Sequence, residues 1–306
     1  MSNFLDIVEE IKNNSSIDVR YYLRVLKRMI NREIDNFLPS SSFIPILPEA
    51  MIYSLTASGK RIRPILAILS YFLSGGRNEN VIIPIAVGLE MIHTYTLIHD
   101  DLPAMDNDDY RRGELTSHRV FGENVAILAG DGLFTYAFDV FLRGSAKPES
   151  LLSFLRAVVK MIGLNGVVGG QMLDVYEGKE YSPWLLRRLH YLKTASFISL
   201  CCKTGAVLSN NYKLVEPFLR IGKYLGMLFQ ITDDILDETG GFQQIGKSPG
   251  KDRKTHKLTY VFMYGLEGAK RRADRYLHII ETEVNKLGKD FHFFKELAKF
   301  IRYREK

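Results

Sequence analysis

Apolar residues along the chain recur mostly at three- and four-residue steps, the spacing that lines one face of a helix. Residues 213–238 show it well: Leu214, Phe218, Ile221, Leu225, Phe229 and Ile235–Leu236 form one stripe. The same pattern predicts helices over roughly 4–13, 18–36, 47–56, 62–74, 80–100, 124–142, 150–163, 183–208, 256–286 and 289–304. Turn residues fall between them: Pro39-Ser40-Ser41-Ser42, Gly75-Gly76, Gly144 to Pro148, Gly240-Gly241 and Ser248-Pro249-Gly250. The two-residue alternation of strands is nearly absent, and neither a linker nor an internal repeat divides the chain. The expectation is an all-α, single-domain helical bundle spanning 1–306.

Composition supports a globular protein, with 46% hydrophobic and 25% charged residues in 306. The formal net charge of +6 suits an anionic ligand without calling for nucleic acid. Cys201 and Cys202 are adjacent and cannot staple a fold, which points to a reducing compartment and a cytoplasmic location. The opening MSNFLDIVEEIKNN lacks a basic start followed by an apolar run, so no signal peptide is expected. No apolar stretch reaches the length of a membrane span, so none is expected either. Asn14-Ser15-Ser16 fits a glycosylation site, which carries no meaning in a cytoplasmic protein.

The charges are unevenly placed. One acidic cluster, Asp100-Asp101 through Asp106 to Asp108-Asp109, follows the apolar 80–99 segment. A second, Asp233-Asp234 with Asp237, lies inside the 213–238 helix, and Asp233 and Asp237 share a face one turn apart. An acidic run is ordinarily a solvated surface, but both of these interrupt strongly apolar helices. Two carboxylates about 5 Å apart repel by about 3 kcal/mol at an effective dielectric of 20. Bound cations remove that cost. Carboxylates with no evident histidine or cysteine cage suit a hard ion such as Mg²⁺, often shared with a phosphate. Basic groups occur at Gly59-Lys60-Arg61-Ile62-Arg63-Pro64, at Arg111-Arg112 and from Gly246-Lys247 to Lys257. Any one could be a solvated face; together with the acidic clusters they suggest diphosphates held by metal on one side and by cations on the other.

Two other patterns compete. Gly241 to Ser248 fits a P-loop literally, but it follows an acidic helix, not a buried strand, and runs into Pro249-Gly250. His99-Asp100, with His93 upstream, matches the pairing used by helical metal phosphohydrolases, which leaves the second acidic cluster and the basic groups without a role.

Taken in order, these segments resemble the trans-prenyl diphosphate synthases of the farnesyl and geranylgeranyl type, from about residue 45 to the C-terminus. The motifs are Gly59 to Pro64; Asp100-Asp101 through Asp106, closed by Arg111-Arg112-Gly113; Gly169-Gly170-Gln171 with Asp174; Lys193-Thr194; Phe229-Gln230 leading into Asp233 to Asp237; and Gly246 to Thr259. Ser58 and Val261 depart from commonly found glycine and proline without removing a ligand. The resemblance implies a bundle of the isoprenoid synthase type around a central active-site cavity, usually as a homodimer. It implies that Asp100, Asp106 and Asp233 bind Mg²⁺, three ions with substrate present, with Asp101 and Asp237 close by and Mn²⁺ as an alternative ion. It gives Arg111, Lys193 and Lys247 to the allylic diphosphate. Gly59, Lys60, Arg63, His93, Arg112 and Lys257 fall to substrate binding, and Thr194 and Gln230 flank the developing cation. The reaction implied is head-to-tail condensation of isopentenyl diphosphate with dimethylallyl or geranyl diphosphate. The aspartate-rich second motif favours elongation over cyclisation. A catalytically silent partner subunit is the other possibility, although such chains usually lose an aspartate motif.

Tyr95 and Thr96 lie just before Asp100, and five helical residues span about 7.5 Å. An aromatic floor at Tyr95 would stop growth at fifteen carbons, giving farnesyl diphosphate, with geranylgeranyl diphosphate as the alternative. An ordinary core tyrosine would read the same way in the sequence.

Overall fold

The computed structural model describes residues 3–14, 16–39, 43–176, 178, 180–239 and 257–304. The turns expected at 40–42, 240–241 and 248–250, the P-loop-like stretch 241–248 and Ser15 lie outside these residues.

Every predicted helix is present: α1 (Phe4–Asn13), α2 (Val19–Asn36), α3 (Ile46–Thr56), α4 (Ile62–Leu73), α5 (Glu79–Asp100), α7 (Glu123–Leu142), α8 (Pro148–Ile162), α12 (Tyr212–Thr239), α13 (Tyr260–Leu287) and α14 (His292–Arg302). The stretch predicted as one helix over 183–208 is α10 (Pro183–His190), a π-helical turn (Tyr191–Ala195) and α11 (Ser196–Leu208). Three short elements were not predicted: the hairpin β1 (Tyr110–Arg111) to β2 (Glu114–Leu115), α6 (Ser117–Phe121) and α9 (Val167–Val175). Each is too short to display a period, and α9 carries Gly169-Gly170, which intrinsic propensity argues against.

The chain packs as two compact units, Met1–Val19 with Leu69–Arg77 and Lys147–Lys306, and Arg20–Ile68 with Asn78–Ala146. In the second of these, α5 is buried almost all round, as a helix without a polar face must be. It lies along α7 at close range. A Cβ on Gly88 would fall 2.4 Å from the Phe141 ring, and one on Gly130 would fall 2.2 Å from His99 Nε2. Pro84 removes an N–H from the interior of α5, and the carbonyl of Asn80 that it leaves accepts from the Ser145 N–H at 3.0 Å. In the other unit α12 crosses the π-helical turn and α11 where side chains are small: a Cβ on Gly226 would lie 2.4 Å from Ala195 Cα, and one on Gly222 2.6 Å from Ser199 Cα. Cys201 and Cys202 are buried and free.

One expectation is corrected. Glu79–Asp100, Glu123–Leu142 and Pro148–Val175 are long and apolar enough to cross a membrane by length and composition. Isolated polar residues such as Glu90 break an apolar run without greatly lowering the mean. In Glu79–Asp100, 83% of the apolar window is buried inside the protein.

Candidate active site

The predicted residues fall into two groups, one in each unit. The first group is built on the end of α5. Asp100 is its last residue, and the loop that follows turns back, so that Asp106 N–H donates to the Asp100 carbonyl at 2.8 Å. Asn107, at φ 49°, makes the turn possible. The hairpin after it is closed by Arg112 and Gly113, both at positive φ, as a two-residue type I′ turn requires. That turn fixes the directions of the arginine pair. Arg111 Nε donates to Asp101 Oδ1 at 2.8 Å, and its Nη2 reaches Asp101 and, at 3.2 Å, Asp108. Asp101 is 3% exposed, whereas Asp100 and Asp106 are half-buried.

Cations gather beside this loop. Arg63 Nη1 donates to His93 Nε2 at 3.1 Å, so the imidazole accepts there and carries its proton on Nδ1. Burial holds His93 well below the usual histidine pKa, and Arg63, Arg112, Arg61 and Arg111 add to it. Gly59 makes room for Arg112: a Cβ there would lie 2.5 Å from Arg112 Nη1. Lys60 is exposed. Arg61, central in the same motif, is instead a staple. It is buried at φ 52° and bonds Glu90 at 2.8 Å, Asn31 at 2.9 Å and the carbonyls of Leu55 and Ala57. A small cavity of about 30 Å³ touches Asp101, Arg111 and Arg112. Tyr95 packs edge-on against Phe134, with centroids 4.9 Å apart, and Phe134 against Phe138. Burial, with the Asp100 charge, pushes its hydroxyl up to about 12. Thr96 Oγ1 donates to the His93 carbonyl.

The second group is built on α9, the π-helical turn and α12. A Cβ on Gly170 would fall 2.2 Å from Lys193 N, so the glycine lets α9 lie against the turn. Lys193 then pairs with Asp174, the aspartate of the Gly-Gly-Gln motif. A π turn inserts one residue into the helical repeat and often marks a functional site. Here Thr194 Oγ1 donates to Gln230 Oε1 at 2.8 Å, Gln230 Nε2 to Asp234 Oδ1 at 3.1 Å, and Tyr260 N–H to Asp234 Oδ2 at 2.8 Å. Asp234 is 4% exposed, while Asp233 and Asp237, one turn apart, are half-buried. Arg304 pairs with Asp233, reaches the Phe229 carbonyl and lies 4.1 Å above the Phe229 ring. Nothing in the sequence singles out Arg304. Lys257 is half-buried just before α13, and Lys247 lies outside the described residues.

Both motifs are therefore sorted in the same way. Asp101 and Asp234 are buried and committed to protein donors, and Asp100, Asp106, Asp233 and Asp237 reach solvent. Helix phase explains the sorting. Asp101 sits three and seven residues after buried Ile98 and Thr94, and Asp234 three and seven after buried Ile231 and Met227.

No cluster of three metal-ligating side chains is assembled among the described residues. Mg²⁺ ordinarily takes one or two carboxylates and completes its shell with water and phosphate oxygen, so the half-buried aspartates fit it. Both polar atoms of the Gln171 amide are buried without a partner among the described residues, which calls for a further polar group beside that motif.

The polyprenyl synthetase family model matches residues 44–296. A farnesyl diphosphate synthase of Micrococcus luteus is 45% identical over 80% of this chain and 87% of its own length. Geranylgeranyl pyrophosphate synthase 7 of Arabidopsis thaliana, a chloroplast protein, is 40% identical over 95% and 84%. The crystal structure of a Helicobacter pylori geranyltransferase complexed with magnesium and isoprenyl diphosphate superposes with a TM-score of 0.82 at 28% identity, over 94% of this chain and 98% of that one. The fold is that of the isoprenoid synthases, and the chain belongs to the polyprenyl synthetase family.

Proposed function

We propose that the protein is a Mg²⁺-dependent prenyltransferase that condenses isopentenyl diphosphate head to tail with dimethylallyl and geranyl diphosphate and stops at farnesyl diphosphate. The observation that carries this is the sorting of both aspartate motifs, which leaves half-buried carboxylates in each while Asp101 and Asp234 anchor their surroundings. The two units act as one domain over 1–306, in a cytoplasmic homodimer.

Asp100, Asp106 and Asp233 hold Mg²⁺ or, in its place, Mn²⁺, three ions with substrate present, and Asp237 supports them. When bound, the ions stabilise charge on the departing diphosphate. Asp101 acts by holding Arg111. Arg111, Lys193 and Lys247 bind the allylic diphosphate, Lys60, Arg63 and Arg112 bind isopentenyl diphosphate, and Lys257 takes part in substrate binding. Gly59 keeps space for Arg112. His93, held neutral, orients Arg63 and adds no charge. The oxygens of Thr194 and Gln230 face the allylic carbon as positive charge develops, with Gln230 fixed at both ends of its amide. The apolar helices exclude the water that would trap a cation.

Farnesyl diphosphate is favoured by Tyr95, whose ring is wedged against Phe134. Geranylgeranyl diphosphate is the second reading, supported by the plant relative. Incorporation of isopentenyl diphosphate into extractable prenyl product, present with Mg²⁺ and lost with excess chelator, tests the reaction. Light scattering tests the dimer. Nucleotide or phosphomonoester hydrolysis without condensation would overturn the assignment.

A further inference from the structure

A cavity of about 910 Å³ is lined by residues of α10, the π-helical turn, α12 and α13. Among the described residues, none assigned to catalysis or substrate binding lines it. Among the described residues its charged lining is all of one sign: Arg187, Arg188, Lys223, Arg272 and Arg275, with no carboxylate. None of these five forms an ion pair among the described residues. Aromatic faces soften part of the repulsion without neutralising it. Arg272 lies 3.2 Å above the Tyr264 ring, and Lys223 Nζ is 5.7 Å and 5.6 Å from the Tyr191 and Tyr224 centroids. Tyr260 adds a hydroxyl that is buried without a hydrogen bond of normal geometry. Met227, Ile279 and Trp184 supply apolar wall. A concave site of small-molecule size, with convergent polar groups on an apolar wall, is how ligand pockets are built. Five cations with no carboxylate facing them among the described residues favour a polyanion.

We propose that this cavity is a second anion site, which binds a diphosphate-bearing small molecule separately from the carboxylate-bearing site. Arg187 and Arg275 are exposed at its edge, where they can reach phosphate oxygens from opposite helices, α10 and α13. The diphosphate can be inorganic or carry a prenyl tail, and the apolar wall gives a tail somewhere to lie.

The protein reports on this cavity by itself, because Trp184 is the single tryptophan of the chain and lines it. Its fluorescence is titrated in excess chelator with inorganic diphosphate and, in a second arm, with farnesyl diphosphate. Chelator makes the result independent of the metal-dependent reaction, which is assayed separately, so that failure of one reading leaves the other standing. The expected result is a saturable change, weakened by salt, whose midpoint rises at least about tenfold in Arg187→Gln/Arg275→Gln. Both positions are exposed, so the variant keeps its fold, which circular dichroism verifies. Farnesyl diphosphate binding about tenfold tighter than inorganic diphosphate would assign the wall to the tail; equal midpoints would assign binding to the phosphates alone. No saturable change with either anion, or a double variant that titrates like the wild type, would overturn the proposal.

Discussion

Asp234 accepts the backbone N–H of Tyr260 at 2.8 Å, tying the second aspartate motif to the start of α13 from 26 residues away. Its other oxygen takes the Gln230 amide. Asp101 plays the matching part in the first motif, where it holds Arg111. Neighbouring aspartates of identical chemistry thus do different work, and substitution separates them. Asp101→Asn and Asp234→Asn each leave buried donors poorly matched and should lower stability by about 2–4 kcal/mol, along with activity. Asp100→Asn and Asp106→Asn relieve repulsion between half-buried carboxylates. They should hold stability within about 1 kcal/mol while lowering kcat by about a thousandfold. Urea unfolding beside steady-state kinetics distinguishes the pairs; equal destabilisation in all four would refute the division.

Arg304 gives a second handle on the same chemistry. Its side chain is 4% exposed, against 44% for Asp233, so the carboxylate is the solvent-accessible member of the pair. A metal ion held at Asp233, as proposed, would share that carboxylate with the guanidinium. Arg304→Gln should therefore lower the Mg²⁺ concentration for half-maximal activity by about three- to tenfold, at a small loss of stability. An unchanged or raised Mg²⁺ requirement would show that the pair is only structural.

Tyr95 should set product length. Tyr95→Ala opens space beside Phe134 and should shift the product from fifteen to twenty or more carbons. The truncation should also cost about 2–4 kcal/mol in stability. Retention of a fifteen-carbon product by a folded variant would mean that the ring is ordinary core.

Acid should destabilise the protein through His190. Burial lowers its pKa to about 4, with Lys193 acting in the same direction and Asp174 opposing. Above the unfolded value near 6.5, both states are neutral at this residue and pH has no effect through it. Below that value the unfolded chain gains a proton that the native state refuses, so stability falls until the folded pKa is reached. The loss through His190 should be about 2 kcal/mol between about pH 7 and about pH 5. His93 contributes in the same direction. Denaturant midpoints for the wild type and His190→Phe at the two pH values measure the His190 share; identical pH slopes would contradict it.

Much of this was legible in the chain. An amphipathic helix announces itself by period, so α12 was readable that way, while α5, with no polar face, was readable from its long, mainly apolar segment; each carries its aspartates where the sequence puts them. The Arg112-Gly113 turn was not, because arginine is an unusual residue in the left-handed region and four strand residues carry no alternation. The division between Asp100 and Asp101 was present in principle, in the phase of Thr94 and Ile98, but needed the buried face to be known. Arg61 belonged to one of the basic groups without a role of its own; only the fold reveals Glu90 and Asn31 beside it. The pairing of Arg304 with Asp233 joins positions 71 residues apart, and no local rule anticipates it. The cationic cavity arises in the same way, from α10, α12 and α13 together.

The most direct measurement supplies the purified protein with Mg²⁺, isopentenyl diphosphate and, in separate reactions, dimethylallyl, geranyl or farnesyl diphosphate, and identifies the products by mass. The account predicts a fifteen-carbon diphosphate from the first two starters and no extension of the third. A twenty-carbon product would keep the chemistry and remove Tyr95 as the floor. No condensation from any starter would contradict the central claim.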